Sequence, residues 1–510
     1  MNENRFRSWL TIHAVFFAAA CGGARPASFG PSKVDIPVAE TGKPARAKKA
    51  DAPREAPPAS LGTKESPFPA VHRSKLPNGL AVAVVTSHAL PVVQVRVLVH
   101  AGSGYGAAPG VAELTAQMLK DGGTQALASA ELLRRVESLG ADLGVRTDAD
   151  ATVLAIAVTK DHLGEALDLL AQIVREPRFD DGELKKLKAR ETDEAEDSAR
   201  GSGSFSASRI VFRELFPEHH PYATRGLVPS EIARVDVTQI REHWRRFFVP
   251  RNAEVVLAGD VDDAKLVAEH FGKWTGEAPP KIDFAPAHAP QKTHVIVAHR
   301  PKSVQSDVFV ATLAPERSAS DWPAVRVATQ VLGGGVASRL FRDIREQRSL
   351  AYRTSAQIFE LAHGDQPLVL YAGTETAKTT QAAAGLVENL GLMVSAHPQA
   401  AETETARRYL SDIFAVRMET IGSVADLVVA EDALGLPDGY WETYRKAVRA
   451  IEPAQVEAAA KELFGKSAVL VVVAGDADVV ASDLTRFGDV TVVDPEKEMK
   501  PIRTVRKEDH

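Results

Sequence analysis

From Leu80 onward, short β-branched apolar runs are interleaved with amphipathic stretches of helical period. Leu80 to Thr86 and Val92 to Val99 are bounded by turn residues, and their pattern predicts two paired strands. In Gly110 to Thr124, GVAELTAQMLKDGGT, the residues Val111, Leu114 and Met118 recur at i, i+3 and i+7. That period predicts a helix with one buried face, ended by Gly122 and Gly123. A second helix is predicted on 130–139, then a strand on Ala151 to Val158 and a helix on Leu163 to Val174. Further on, strands are predicted around Val295 and Val308. A helix starts at Pro323, which suits a first helical position, and the glycines after Leu332 stop it. Ser338 to Arg348, SRLFRDIREQR, predicts a helix with Leu340, Phe341 and Ile344 on its apolar face. Leu350 to Phe359 is the strand leaving it.

This pattern is duplicated. Val235-Asp236 followed by Gln239-Ile240 matches Ile451-Glu452 followed by Gln455-Val456. Phe248 matches Phe464, and Glu254 to Asp262 matches Leu470 to Asp478, at one constant offset of 216 residues. Each copy predicts a capped helix, a β-branched strand and a Gly-Asp turn. The chain therefore divides into a first domain on 67–276, a Pro- and Ala-rich linker on 277–291 expected to be extended and exposed, and a second domain on 292–495. The charged segment 496–510 is expected to lack structure. The fold class is α+β: two tandem homologous domains with helices packed on largely antiparallel sheets.

Composition changes the picture at the N-terminus. Arg5 and Arg7 precede the short apolar run Trp9 to Ala20, which ends in AAAC at Cys21, the single cysteine of the 510 residues. Residues 1–21 predict an export signal. Small residues directly before a cysteine resemble the lipobox of bacterial lipoproteins, which implies lipidation of Cys21; plain cleavage after an Ala-x-Ala site is the alternative. Residues 22–66 are rich in Pro, Ala, Lys and Ser and are expected to form a disordered tether. The expected location is outside the cytoplasm, on the periplasmic side of a bacterial envelope and lipid-anchored to a membrane. A net charge of −6 with mixed signs gives no footprint for nucleic acid. One cysteine excludes a disulfide framework and any cysteine-based metal site.

The helix on 110–124 and its surroundings resemble the pitrilysin/insulinase family of zinc metallopeptidases, the inverzincins. There the equivalent helix carries His-x-x-Glu-His, two zinc ligands with a general base between them. In this chain the motif falls on Glu113, Ala116 and Gln117, and the third ligand position on Glu191 of the segment ETDEAED. The resemblance implies a degenerate zinc site, with no metal bound by this chain and no catalysis on its own. It also implies tandem domains facing each other around a cavity. In the family an Arg-x6-Tyr pair points across that cavity toward the zinc site, and Arg345 and Tyr352 have its spacing and context, LGGGVASRLFRDIREQRSLAY. Arginine and phenol donors suit a peptide carbonyl that gains negative charge.

The function implied is that of a non-catalytic subunit of an exported two-subunit peptidase. A zinc-bearing paralogue would form the heterodimer, and this chain would bind extended peptide and supply Arg345 and Tyr352 in trans. A peptide-binding or scaffold protein of the envelope is the alternative from another class, and a metallopeptidase with a non-standard site at Glu113 and Glu191 is a third. Two other motifs carry no chemistry by their pattern. His219 and His220, in LFPEHHPYATRG, belong to a structural turn that the family also has. Gly201 to Ser208, GSGSFSAS, is expected to be a flexible loop and not a phosphate cradle.

Overall fold

The structure, a computed structural model, describes residues 66–466 and 468–507. The predicted export signal, Cys21 and residues 22–65 of the tether lie outside the described residues. No described helix is long and apolar enough to cross a membrane.

Strands β1 (His72–Lys75), β2 (Ala81–Thr86), β3 (Val92–Val99), β4 (Gly144–Thr147), β5 (Thr152–Thr159) and β6 (Ala253–Gly259) form a six-stranded sheet in the order β1-β2-β6-β3-β5-β4. Strands β7 (His294–His299), β8 (Gln305–Ala314), β9 (Ala351–Ile358), β10 (Gln366–Glu375), β11 (Leu470–Gly475), β12 (Val490–Asp494) and β13 (Lys500–Val505) form a seven-stranded sheet in the order β13-β12-β7-β11-β8-β10-β9. Pairing is antiparallel except for β2–β6, β7–β11 and β7–β12. The helices of the first half are α1 (Val111–Asp121), α2 (Ser129–Ser138), α3 (Leu163–Arg175), α4 (Asp181–Gly201), α5 (Gly203–Leu215), α6 (Pro229–Arg234), α7 (Val237–Phe247) and α8 (Lys265–Phe271). Those of the second are α9 (Trp322–Gly333), α10 (Thr379–Ser395), α11 (Ala400–Arg417), α12 (Ile421–Ala433), α13 (Tyr440–Ala450), α14 (Pro453–Phe464) and α15 (Ala477–Leu484). The fold is α+β, with helices on two largely antiparallel sheets.

The duplication extends further than the sequence match. α3 and α10 open at Leu163 and Thr379, again 216 residues apart, and β5, α7 and β6 overlay β10, α14 and β11 at that offset. In the first copy the Asp236 side chain accepts the Gln239 N–H at 2.9 Å while the Gln239 side chain accepts the Asp236 N–H at 2.9 Å. The second copy keeps one arm of this box, Gln455 accepting the Glu452 N–H at 2.9 Å. β6 lies parallel to β2 and antiparallel to β3, as β11 does to β7 and β8. The expected pairing of β2 with β3 is therefore corrected. β6, buried at every position, sits between them. This strand is hydrogen-bonded on both edges, although it lies more than 150 residues downstream.

The halves exchange a helix. α5 leaves the first half and packs its Ala207, Ile210, Val211 and Leu215 against β8 and β11 of the second sheet. α12 leaves the second half and packs Val424, Ala425, Val428 and Val429 against β3 and β6 of the first. Each buried valine on such a face contributes roughly 1.5–3 kcal/mol. The halves are therefore fastened to each other through reciprocal apolar faces.

Three expectations change for related reasons. Gly201 to Ser208 is not a flexible loop: it runs from the last residue of α4 through the cap Ser202 into the first turns of α5. Ser202 accepts the Phe205 N–H at 3.2 Å, and Gly203 leaves room for the side-chain ends of Asp307 and Arg300. Burial of the apolar face outweighs the poor helix propensity of glycine and serine. The charged tail is not structureless, since Lys500–Val505 forms the edge strand β13 against β12. Its lysine, proline and arginine suit an edge that must not recruit further strands. The linker lacks helix and strand but is not simply exposed. Phe284 stacks on His363 at 4.1 Å and packs against Tyr105 and Tyr222, and the Leu215 carbonyl accepts the His288 N–H at 2.6 Å.

Candidate functional site

α1 buries Val111, Leu114 and Met118, as its period predicts, and packs against α4 and α7. Glu113 and Gln117 are partly exposed and one turn apart, and Ala116 is 1% exposed. Burial pushes the Glu113 carboxyl up to about 7, with a smaller contribution from Glu231; bonds from backbone N–H groups only partly offset this. Glu191, on α4, is also raised by burial, and Arg190, at 3.5 Å, pulls it partly back. Zinc in a hydrolytic site needs three protein ligands and a water, with a base to take its proton. Ala116, at the base position, has no group to take a proton, and Gln117 offers an amide where the metal needs an imidazole, which leaves Glu113 and Glu191 as the only carboxylate ligands of the set. These residues do not fit zinc.

Among the described residues, one trio of His, Cys, Asp or Glu side chains brings ligand atoms within 4.8 Å of one another: His299, Asp476 and Asp478. All three already have work in the fold. His299 Nδ1 accepts the Ala477 N–H at 3.1 Å, Asp476 caps α15, and Asp478 pairs with Arg503 at 2.6 Å.

The structure brings Arg345 and Tyr352 together. The segment Phe341–Gln347 is a π-helical turn, in which the Asp343 carbonyl accepts the Arg348 N–H five residues on, at 2.9 Å. Such widened turns recur at functional sites. Leu340 and Ile344 anchor it in the core. Ser349 then adopts a left-handed φ of 52° and turns the chain into β9. The Arg345 guanidinium carbon lies 4.5 Å from the centroid of the Phe341 ring and 4.7 Å from that of Tyr352, so a flat cation rests between two aromatic rings.

Tyr352 itself is the extra residue of a β-bulge. The β9–β10 register passes from Arg353–Gly373 to Ala351–Thr374 and skips it. A bulge re-aims a side chain, and Tyr352 ends 76% exposed. Sequence reasoning found the pair but missed its supports. Arg348 bonds Asp343 at 2.9 Å and Glu388 at 2.7 Å, and Asn389 donates to Asp343 at 2.7 Å. These groups tie the π-helical turn to α10.

His219 and His220 form no metal pair. His219 is exposed. His220 accepts the Tyr222 N–H at Nδ1 and faces the Ala285 carbonyl with Nε2 at 2.9 Å. The Tyr222 hydroxyl donates to Asp150, whose other oxygen accepts the Ala362 N–H of the second half at 3.0 Å. Two cavities lie elsewhere, one of about 800 Å³ beside Trp244 and Trp274 and one of about 380 Å³ beside Arg73 and Asp432. Neither is lined by Arg345, Tyr352 or the former zinc positions.

Comparison with known proteins identifies the family and the fold. Residues 81–202 match the model of the insulinase family, peptidase family M16, and residues 234–410 match the peptidase M16 inactive domain. Together these stretches take up more than half of the chain, which belongs to the insulinase (M16) family. An uncharacterized zinc protease of Mycobacterium leprae is 30% identical over 301 residues, 55% of this chain and 64% of that protein, so the match spans less than two thirds of this relative. A protein of Helicobacter pylori named as a non-peptidase homolog is 24% identical over 346 residues, 66% of this chain and 77% of its own length. A solved peptidase M16 inactive domain from Pseudomonas fluorescens superposes with a TM-score of 0.73 at 24% identity, covering 80% of this chain and 98% of that one. A protease structure from Helicobacter pylori gives 0.70 at 20% identity, covering 80% and 99%. These structural likenesses establish the fold.

Proposed function

We propose that this chain is the non-catalytic member of a two-subunit M16 peptidase. It binds extended peptide and presents Arg345 and Tyr352 to the active site of a zinc-bearing paralogue. The observation that carries this reading is the state of Tyr352. It is 76% exposed, re-aimed by a bulge and stacked with Arg345 on a braced turn, in a chain whose own zinc positions offer no ligand set. The phenol and guanidinium would donate to a substrate carbonyl held in the partner's site, the kind of contact that stabilises an oxyanion. The name of the Helicobacter pylori relative as a non-peptidase homolog supports the absence of independent catalysis. Helix exchange between the halves supports a cavity formed with a second chain. Export, with lipid attachment at Cys21 to the periplasmic side of the envelope, is part of the proposal and rests on the leader sequence.

The test is affinity capture of the tagged full chain from its native envelope, with mass spectrometry of what accompanies it. The reading expects an M16 paralogue with an intact His-x-x-Glu-His motif in roughly equal amount, and a purified chain free of zinc. Recovery of the chain alone, or zinc bound near one equivalent, overturns it.

A further inference from the structure

Two arginines of the second half pair with one carboxylate and a third lies near it, and none of them takes part in the function above. Glu360, just beyond β9, lies 3.2 Å from Arg317 and 3.2 Å from Arg326. Arg417, the last residue of α11, acts on the same carboxylate. Arg417 forms no ion pair among the described residues and rests on the Phe414 ring at 5.3 Å. The Nε atoms of Arg317, Arg326 and Arg417 are all buried without an acceptor. Arg317 is fixed as a wall of the cluster, with its guanidinium 4.8 Å from the Trp322 ring and 5.1 Å from that of Tyr440.

The charges do not balance. Arg317 and Arg326 share one carboxylate and Arg417, near them, has no ion pair among the described residues, an excess of two positive charges. Burial alone would raise Glu360, yet Arg317, Arg326 and Arg417 together hold it below its usual range. Arg417 is drawn down by burial and then by Arg326. A buried cation left without a counter-charge is strongly destabilising, and fork-shaped guanidinium donors match a tetrahedral oxyanion. The cluster is not sealed, since the Arg326 and Glu360 side chains keep 21% and 26% of their exposure.

We propose that Arg317, Arg326 and Arg417 form a binding site for a dianionic phosphate group, free or carried on a small monoester, beside Glu360. Such a ligand supplies the two missing negative charges. The site stands where α11 hands over to the exchanged helix α12, with Arg417 four residues before Ile421. It rests on geometry independent of Arg345 and Tyr352.

The test is calorimetric titration and thermal melting of the full chain with inorganic phosphate and with phenyl phosphate, against chloride at matched ionic strength. Saturable binding of either phosphate, with a rise in Tm that chloride does not give, is expected. Tighter binding of phenyl phosphate identifies a monoester as the source, and equal binding identifies free phosphate. Arg417→Gln should weaken binding at least tenfold while being no less stable than wild type without ligand. Should that variant fail to fold, Arg417→Lys serves, because it keeps the charge but loses the guanidinium fork and should weaken phosphate binding severalfold. Absence of a phosphate-specific response in the wild type, or binding by Arg417→Gln or Arg417→Lys equal to wild type, overturns the proposal.

Discussion

Under the proposed function α1 and the segment 341–352 are the two sides of a peptidase site, and the fold treats them in opposite ways. In α1 no ligand set remains at the chemical positions. Ala116 is closed in at 1% exposure, and burial raises the Glu113 carboxyl to about 7. In 341–352 the reverse holds. The core needs Leu340 and Ile344 but gains little from Tyr352, and yet a π-helical turn, a bulge and a four-residue brace hold Arg345 and Tyr352 in a defined place. Side chains that a fold holds in place without burying them are the ones with a use outside it.

That contrast can be broken most severely at Ala116. Ala116→Glu forces volume and charge into a filled position and is expected to cost about 3–5 kcal/mol in urea denaturation. A well-folded variant that takes up zinc would show that the site is open after all. Next in size is Glu113→Gln. The folded-state value of Glu113, about 7, lies above the ordinary 4.5, so its contribution is full below pH 4.5 and is lost as the pH rises through 7. The amide variant should therefore match wild type near pH 4.5 and be on the order of 2 kcal/mol more stable above pH 8. An equal gain at both pH values would mean that Glu113 is not held neutral.

Asp343→Ala sharpens the other side of the comparison. Loss of the bonds from Arg348 and Asn389 should cost about 1–2 kcal/mol and raise the mobility of Arg345, read as faster hydrogen exchange across 341–350. Unchanged exchange would remove the brace from the account. The smallest effect belongs to Tyr352→Phe, expected within about 0.5 kcal/mol of wild type because the side chain is exposed.

How much of this was legible in the sequence follows from the range of each interaction. The period of Val111, Leu114 and Met118 placed α1, and the 216-residue repeat announced two copies of one plan. Both are local or self-comparing signals. That β6 would separate β2 from β3 was not legible, because strand neighbours are chosen across the whole chain. Nor could the amphipathic run of Ile210, Val211 and Leu215 say that its sheet lay in the other half. Arg345 and Tyr352 were visible through spacing and context, but the register skip at Tyr352 depends on how β9 meets β10. Arg317, Arg326, Glu360 and Arg417 are scattered over a hundred residues and carry no motif, so only the folded chain assembles them.

The most direct measurement of the central claim is peptide hydrolysis by the pair reconstituted with its zinc-bearing partner, comparing wild type with Tyr352→Phe at equal assembly. The account predicts a fall in kcat on the order of a hundredfold, with the complex and its zinc content intact. Undiminished turnover by the Tyr352→Phe pair would contradict it and leave the exposed tyrosine without a part in the reaction.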